Sequence, residues 1–338
     1  MERYSRQILL SAVGREGQKK LLSSTTAVIG CGALGTVIAS GLVRAGVGRI
    51  KIADRDYIEL NNLQRQILFD EEDIARGLPK AIAAAEKLRK VNSQVDIEPI
   101  VADVNPDSVE EIIGDVDLVL DGTDNFETRF LINDACIKHS VPWVYGAVIA
   151  TYGMTMAIIP HRTPCFRCFV AEMPVPGRTP TCDTVGVLGP AVNIVASLEV
   201  IEGLKLLMVR EEELHGRLIY VDAWASTLER MELEKRDKPC PACDLGQFEF
   251  LEAQQGSYLT RLCGREAMQV NVRGEVKVSF PGLAERLNPV GRVTFNDYML
   301  RFQVDSYELT VFPDGRTIIK GTTDEALART LYAKYIGL

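Results

Sequence analysis

The chain has 338 residues, 46% apolar and 25% charged, a composition typical of a folded protein large enough for about two domains. Its formal net charge of −8 argues against nucleic acid or an anionic membrane as a partner. The N-terminal residues MERYSRQILL lack the pattern of a signal peptide, and Arg44 and Lys205 interrupt the longest apolar runs. We therefore expect a cytoplasmic protein whose eight cysteines serve metal binding or catalysis rather than disulfides.

A glycine-rich turn follows the first apolar run. Val28 and Ile29 end that run, and the next residues, Gly30-Cys31-Gly32-Ala33-Leu34-Gly35, fit the pattern G-x-G-x-x-G. One glycine of this pattern permits a tight turn, the second lets backbone N–H groups approach a phosphate, and the third lets helix and strand pack closely. Because a helix N-terminus attracts anions, the segment predicts a nucleotide-binding α/β unit, with a chance glycine turn as the alternative.

Acidic residues follow the next predicted strand, Arg49–Ala53. Asp54 lies just past its end, where a carboxylate can bind ribose hydroxyls. Asp56 is a second candidate, although it could simply cap the following turn. The sequence therefore indicates a ribose contact at the end of this strand.

A polar segment, Glu59–Gln66, comes next and contains one arginine, Arg65. A site for three phosphates needs such cations, because arginine and lysine stabilise the charge that builds up in phosphoryl or nucleotidyl transfer. Lys80 begins the predicted helix Lys80–Val91, at the end where the helix dipole disfavours a cation. Lys80 is therefore either a surface lysine or a phosphate ligand.

The predicted strand Val116–Leu120 ends in Asp121-Gly122-Thr123-Asp124-Asn125. Open α/β sheets bind ligands at the carboxyl ends of their strands, so Asp124 could hold a magnesium ion that bridges nucleotide phosphates. Alternatively, Asp124 or Asn125 only caps the predicted helix Phe126–Lys138.

Two Cys-x-x-Cys pairs, Cys165/Cys168 and Cys240/Cys243, have the spacing of a four-cysteine zinc site. One such pair alone could be a redox pair, but two predict structural zinc. A further cysteine, Cys182, lies in a loop rich in proline, glycine and threonine. It is either a candidate nucleophile or an incidental thiol.

These motifs together resemble the ThiF/MoeB/HesA family, the bacterial relatives of ubiquitin-activating enzymes. RYSRQ, GCGALG, NNLQRQ and DGTDN occur in this order, followed by the two cysteine pairs with TCDTVGVLGP between them. The resemblance covers residues 1 to about 245 and implies a Rossmann-like α/β nucleotide-binding domain of the ubiquitin-activating type that works as a homodimer. It also implies that ATP and magnesium are used to adenylate the C-terminal glycine of a ubiquitin-like sulfur carrier such as ThiS or MoaD. Thiamine or molybdopterin biosynthesis would lie downstream.

The resemblance also implies roles for single residues. Arg65 and Lys80 would hold the phosphates, Asp124 the magnesium, and the four paired cysteines zinc. Arg6 would reach into the partner subunit's site. Cys182 matches a cysteine that links covalently to the activated carrier in ThiF-like members but is dispensable in MoeB-like members, and a cysteine desulfurase or rhodanese would supply the sulfur. The candidate nucleotide-binding residues are Gly30, Gly32, Gly35, Asp54, Asp56, Asn62, Arg65, Gln66, Lys80, Thr123, Asp124 and Asn125.

Residues 246–338 depart from the family pattern and predict a small α+β domain. Alternating residues predict a hairpin of Met268–Val272 with Glu275–Phe280, and the last helix is predicted over Asp324–Tyr335. We expect a docking or regulatory module, or an added dimer contact. Two other functions for the whole chain stay open: an NAD-dependent oxidoreductase, which would leave Arg65, Lys80 and Asp124 unused, and a non-catalytic scaffold for a ubiquitin-like partner.

Overall fold

The computed structural model describes residues 1–174, 185–233, 239–252, 259–261, 266–271 and 277–336. The chain divides into two compact units, Met1–Ala253 and Gln254–Leu338. This division lies later than the boundary after residue 245 that the sequence predicts. The reason is that Phe250 belongs to the first unit, where its ring stacks on Phe130 with the centroids 4.6 Å apart.

A mixed sheet of eight strands forms the centre of the first unit. The strands are β1 (Thr25–Ile29), β2 (Arg49–Ala53), β3 (Asp96–Ile100), β4 (Leu118–Asp121), β5 (Trp143–Ile149), β6 (Tyr152–Ile158), β7 (Leu218–Asp222) and β8 (Thr227–Met231). Their order in the sheet is β3-β2-β1-β4-β5-β6-β7-β8. The first five strands in this order are parallel, and the later pairs are antiparallel.

Helices cover both faces of this sheet. The helices are α1 (Ser5–Ile8), α2 (Gly14–Ser23), α3 (Ala33–Ala45), α4 (Glu71–Arg76), α5 (Lys80–Val91), α6 (Val109–Ile113), α7 (Phe126–Lys138), α8 (Phe166–Phe169), α9 (Gly189–Leu207) and α10 (Glu249–Glu252), with 3-10 turns at Glu2–Tyr4, Leu60–Asn62 and Glu211–Glu213. α9 packs closely on α3 and on β4, because Gly41 faces Val200 and Gly203 faces Leu118 and Leu120. α6 and α7 pack on the opposite face, in a core that contains Trp143 and the cysteine pairs. The predicted α/β nucleotide-binding architecture is confirmed.

An antiparallel sheet and two helices form the described part of the second unit. The elements are β9 (Leu259–Arg261), β10 (Ala267–Val270), α11 (Phe280–Leu287), β11 (Arg292–Phe295), β12 (Leu300–Val304), β13 (Tyr307–Val311), β14 (Thr317–Lys320) and α12 (Glu325–Tyr335). The strand order is β11-β12-β13-β14-β10-β9. Apolar side chains of α11 and α12 pack with Leu300 and Phe302 in one core, which confirms the predicted α+β character.

The predicted hairpin of Met268–Val272 with Glu275–Phe280 is wrong. β10 pairs with β9 and β14 instead. Phe280 begins α11, whose N-terminus is capped by the Ser279 hydroxyl and has a proline in its first turn. Such start signals outweigh a short alternating pattern; residues 272–276 lie outside the described part of the chain. None of the described helices of either unit has the length and apolar character needed to cross a membrane.

Candidate active site

The loops that follow β1, β2 and β4 meet at one edge of the parallel sheet. Ile29, Ala53 and Asp121 lie next to each other in the strand register, so the residues after them share this edge. Gly30 has a φ of +88°, and a Cβ there would lie 2.6 Å from the Gly122 carbonyl oxygen. A Cβ at Gly35 would lie 1.9 Å from the Gly30 oxygen. The glycines therefore let two loops and a helix N-terminus approach more closely than side chains would permit.

Gly32 differs from its neighbours because space opens beside it. A Cβ at Gly32 would meet only the Gln66 side-chain nitrogen within 4 Å, at 3.9 Å. Gln66 is itself buried, yet its Oε1 has no hydrogen-bond partner in the described structure. Buried polar atoms are nearly always paired, and the N-terminus of α3 favours negative charge. The open backbone and the unpaired amide therefore fit a nucleotide at this turn.

Asp54 ties the end of β2 to the glycine turn. Its Oδ2 accepts the Cys31 N–H at 2.6 Å, and its Oδ1 accepts the Asp56 N–H at 2.7 Å. Burial raises the pKa of Asp54, and the Lys80 cation opposes this shift. A carboxylate has about four acceptor positions, so Asp54 retains capacity for ribose hydroxyls.

Lys80 is not a surface lysine, because only 4% of the residue is exposed. Its ammonium group lies 3.2 Å from the Asp56 carboxylate, and its backbone N–H donates to the Asp56 carbonyl. A lysine is almost never buried without a partner. The structure thus brings Lys80 together with Asp56, Asp54 and the glycine turn.

The amide-rich segment forms the turn Leu60–Asn62 and a loop after it. Asn62 is buried, and its Oδ1 accepts the Glu59 N–H, so this oxygen holds the loop. The half-buried Arg65 donates to the Asn61 carbonyl at 2.9 Å. Gly189, at the start of α9, faces the Arg65 backbone. Arg65 therefore has a fixed place beside α9.

The loop after β4 is organised by Arg129, a residue that none of the sequence motifs indicated. Arg129 is buried in α7 and donates to the Asp121 carboxylate at 3.0 Å, the Thr123 carbonyl at 2.7 Å and the Gly146 carbonyl at 3.0 Å. The Thr123 hydroxyl also donates to Asp121. One feature of the sequence could have indicated this role: a basic residue lies in a mostly apolar helix, soon after a strand that ends in an aspartate.

Asp124 and Asn125 separate into two roles. Asn125 caps α7, since its Oδ1 accepts the Thr128 N–H at 2.9 Å. Asp124 is exposed, and its side chain makes no hydrogen bond to any residue of the described chain. The cap is therefore Asn125, and the Asp124 carboxylate remains available to a ligand.

The four paired cysteines come together in the core beneath α7. Their sulfur atoms all lie within 4.8 Å of one another, and Cys165–Cys240 and Cys168–Cys243 are 3.6 and 3.4 Å apart. Four sulfurs around one zinc at the usual bond length would be about 3.8 Å apart. The cluster therefore fits a zinc ion.

The described part of the chain does not place two other candidate residues, Arg6 and Cys182, in the site. Arg6 is exposed in α1, and its side chain makes no hydrogen bond within the described ranges. Cys182 lies outside the described residues.

Known proteins share both the sequence pattern and the fold. The model of the ThiF family matches residues 4–242. The chain belongs to the ThiF family. It is 42% identical to the sulfur carrier protein ThiS adenylyltransferase of Bacillus subtilis, over 99% of both chains, and 39% identical to the SAMP-activating enzyme E1 of Haloferax volcanii, over 75% of this chain and 92% of that one. Among solved structures, the microcin C7 biosynthetic enzyme MccB has the same fold, with a TM-score of 0.63 and 22% identity over 71% of this chain and 74% of that chain.

Proposed function

We propose that this protein is an adenylyltransferase that uses ATP to activate the C-terminal glycine of a ubiquitin-like sulfur carrier. The observation that carries the proposal is Lys80, a buried cation held beside the glycine turn in a chain of the ThiF family. A dinucleotide oxidoreductase has no need for this cation, and a scaffold would not need to retain it.

The reaction needs positioning and charge neutralisation more than proton transfer. A carboxylate oxygen of the carrier's glycine attacks the α-phosphorus of ATP. An oxygen–phosphorus bond forms, and the bond between the α-phosphorus and the oxygen of the departing pyrophosphate breaks. Lys80 and Arg65 would stabilise the negative charge that builds up on the phosphates. A general base is unnecessary, because a C-terminal carboxyl group is ionised at neutral pH.

The remaining site residues have supporting roles in this proposal. Gly30, Gly32 and Gly35 would receive the phosphates, and Asp54 the ribose. Asp124 would hold a magnesium ion, which would offset the negative charge of the phosphates. Its exposed and unpaired carboxylate suits this role.

The zinc ion would have a structural role. The four cysteine sulfurs face one another in the core that contains Phe130 and Trp143, as in a zinc site whose four ligand positions are all filled by the protein. We extend the proposal to a cytoplasmic homodimer in which Arg6 completes the partner's site, and to Cys182 as the residue that could link to the activated carrier.

Among carriers, the ThiS type is favoured, which would place the reaction in thiamine biosynthesis rather than molybdopterin biosynthesis. The Bacillus relative named for ThiS matches nearly the whole chain, including the second unit. The Haloferax relative instead matches 252 residues, which is 92% of its own length. The higher identity to the relative named for ThiS, over nearly the full length of both chains, therefore favours a carrier of the ThiS type.

ATP–pyrophosphate exchange tests the proposal directly. Purified protein should exchange labelled pyrophosphate into ATP only when a ThiS-type carrier with an intact C-terminal glycine is present. A carrier that lacks this glycine is the control and should give no exchange. ATP binding without exchange for any carrier would favour the scaffold, and binding of NAD but not ATP would favour the oxidoreductase.

A further inference from the structure

A charged pair joins the loops that follow β2 and β3. The Arg55 guanidinium lies 2.8 Å from the Asp103 carboxylate, with side-chain exposures of 27% and 15%. Hydrogen bonds hold the loop after β3 that contains Asp103. The Asn105 side-chain oxygen accepts two backbone N–H groups, and the Ser108 hydroxyl donates to the Asp103 carbonyl. Asp103 is therefore in a position to orient the arginine.

The strand register places this pair on one side of the glycine turn. Ala53 pairs with Ile29 of β1 and with Ile100 of β3, and the Asp54 N–H donates to the Ile100 carbonyl. The glycine turn, Asp54 and the Arg55–Asp103 pair thus follow one another along the edge of the sheet. In sheets of this kind the phosphates bind at the first turn and the ribose at the acidic residue after the next strand. The nucleobase then extends towards β3.

We propose that Arg55, positioned by Asp103, flanks the nucleobase and determines how tightly the purine part of the nucleotide binds. This inference rests on the proposed function. The guanidinium group is planar and stacks well on flat aromatic systems, and its ion pair with Asp103 limits the orientations that it can adopt.

Arg55 keeps its positive charge at this position. Burial alone would lower the pKa of Arg55, but the nearby carboxylates of Asp103, Asp56 and Asp124 raise it. The charged and oriented guanidinium can therefore stack on a nucleobase without any change in its protonation.

Calorimetric titration of the full chain with two probes, ATP and inorganic tripolyphosphate, tests the inference. Arg55→Ala should weaken ATP binding about tenfold and leave tripolyphosphate binding unchanged, because only ATP has a base. Arg55→Lys should recover little of this loss, since it restores the charge but not the plane. Asp103→Asn should also weaken ATP selectively, and Lys80→Ala is the control that should weaken both probes.

Two results would overturn the inference. One is unchanged ATP affinity in Arg55→Ala; the other is an equal loss for ATP and tripolyphosphate, which would mean that Arg55 acts on the phosphates. Circular dichroism checks the fold, and Arg55→Met, which keeps the apolar stem, replaces the alanine variant if that variant unfolds. Base-dependent ATP binding by a wild-type protein that never exchanges pyrophosphate would reject the proposed function while leaving this inference intact.

Discussion

The first unit contains two polar centres that differ in how their polar atoms are satisfied. In the cysteine cluster each sulfur faces the other three, so the residues form a closed set. The second centre is the edge of the sheet where the loops after β1, β2 and β4 meet, which we call the nucleotide edge. There, the buried Gln66 Oε1 and the exposed Asp124 carboxylate have no hydrogen-bond partner among the described residues. A closed ligand set stabilises a fold, whereas unpaired groups at a strand edge retain capacity for a substrate. Substitutions in the two centres should therefore change different observables.

Removing one cysteine ligand should have the largest effect on stability. We expect Cys168→Ser to lower the free energy of unfolding by more than about 4 kcal/mol, because the loss of a metal is among the few changes that cost so much. Chemical denaturation measures the loss, and elemental analysis should find one zinc per wild-type chain and less in the variant.

Cys136 provides the matched control for the cluster. It is buried in the same core but does not belong to the four-cysteine set. Cys136→Ala should cost only about 1 kcal/mol and retain the zinc. If Cys168→Ser were as mild as this control, the closed cluster would not be a metal site.

At the nucleotide edge, removing Lys80 should affect catalysis more than stability. Lys80→Ala should slow carrier-dependent pyrophosphate exchange by about 10²–10³-fold, the usual effect of losing one group that stabilises transition-state charge. The control is Lys87→Ala on the same helix, because Lys87 is paired with Asp73 at 2.8 Å rather than with a site residue. Equal rates for the two variants would remove Lys80 from the site.

The sequence predicted most of the parallel half of the fold. The bounds of β2, α5 and α7 were predicted to the residue because the flanking residues, such as Pro79 and Asn125, are recognised start signals. The nucleotide edge was predictable for the same reason, since its residues directly follow strand ends.

Residues buried inside α7 and α9 were much harder to predict. α7 is buried on nearly all sides, so no apolar stripe distinguishes the position of Arg129 from its neighbours. Glu199 of α9 is likewise fully buried, which a glutamate almost never is. The burial of such residues depends on how α7 and α9 pack on the sheet, and local sequence does not encode that.

Glu199 lies in the buried interior, outside both polar centres, and its substitution should change how stability depends on pH. Neither of its carboxylate oxygens has a hydrogen-bond partner in the described structure, and burial raises the pKa of Glu199 well above its usual range. The folded protein therefore keeps a proton that the unfolded chain releases. Stability is full below the unfolded pKa of about 4.3 and falls as the pH rises towards the folded pKa, by at most about 1.4 kcal/mol per pH unit.

Glu199→Gln should remove this pH dependence. Denaturation between pH 5 and pH 8 should find the variant increasingly more stable than the wild type as the pH rises, with the smallest difference at pH 5. The matched control is Glu202→Gln on the same helix. Glu202 is also buried but is paired with Lys205 at 2.6 Å and accepts the His215 N–H, so its loss should destabilise the protein across this range. A parallel pH profile for Glu199→Gln and the wild type would show that Glu199 is ionised in the folded state.

Substitutions of Asn125 should have the smallest effects, and they show whether the nucleotide site includes this residue. Asn125 caps α7 next to Asp124, so Asn125→Ala should cost about 1 kcal/mol of stability, while Asn125→Asp keeps an acceptor at the cap and should cost little. If capping is the whole role of Asn125, both variants bind ATP as the wild type does. ATP binding that falls in both variants, despite the restored cap in Asn125→Asp, would mean that the amide itself contacts the nucleotide. The nucleotide site would then extend one residue beyond Asp124, and Asn125 would be a nucleotide contact as well as the cap of α7.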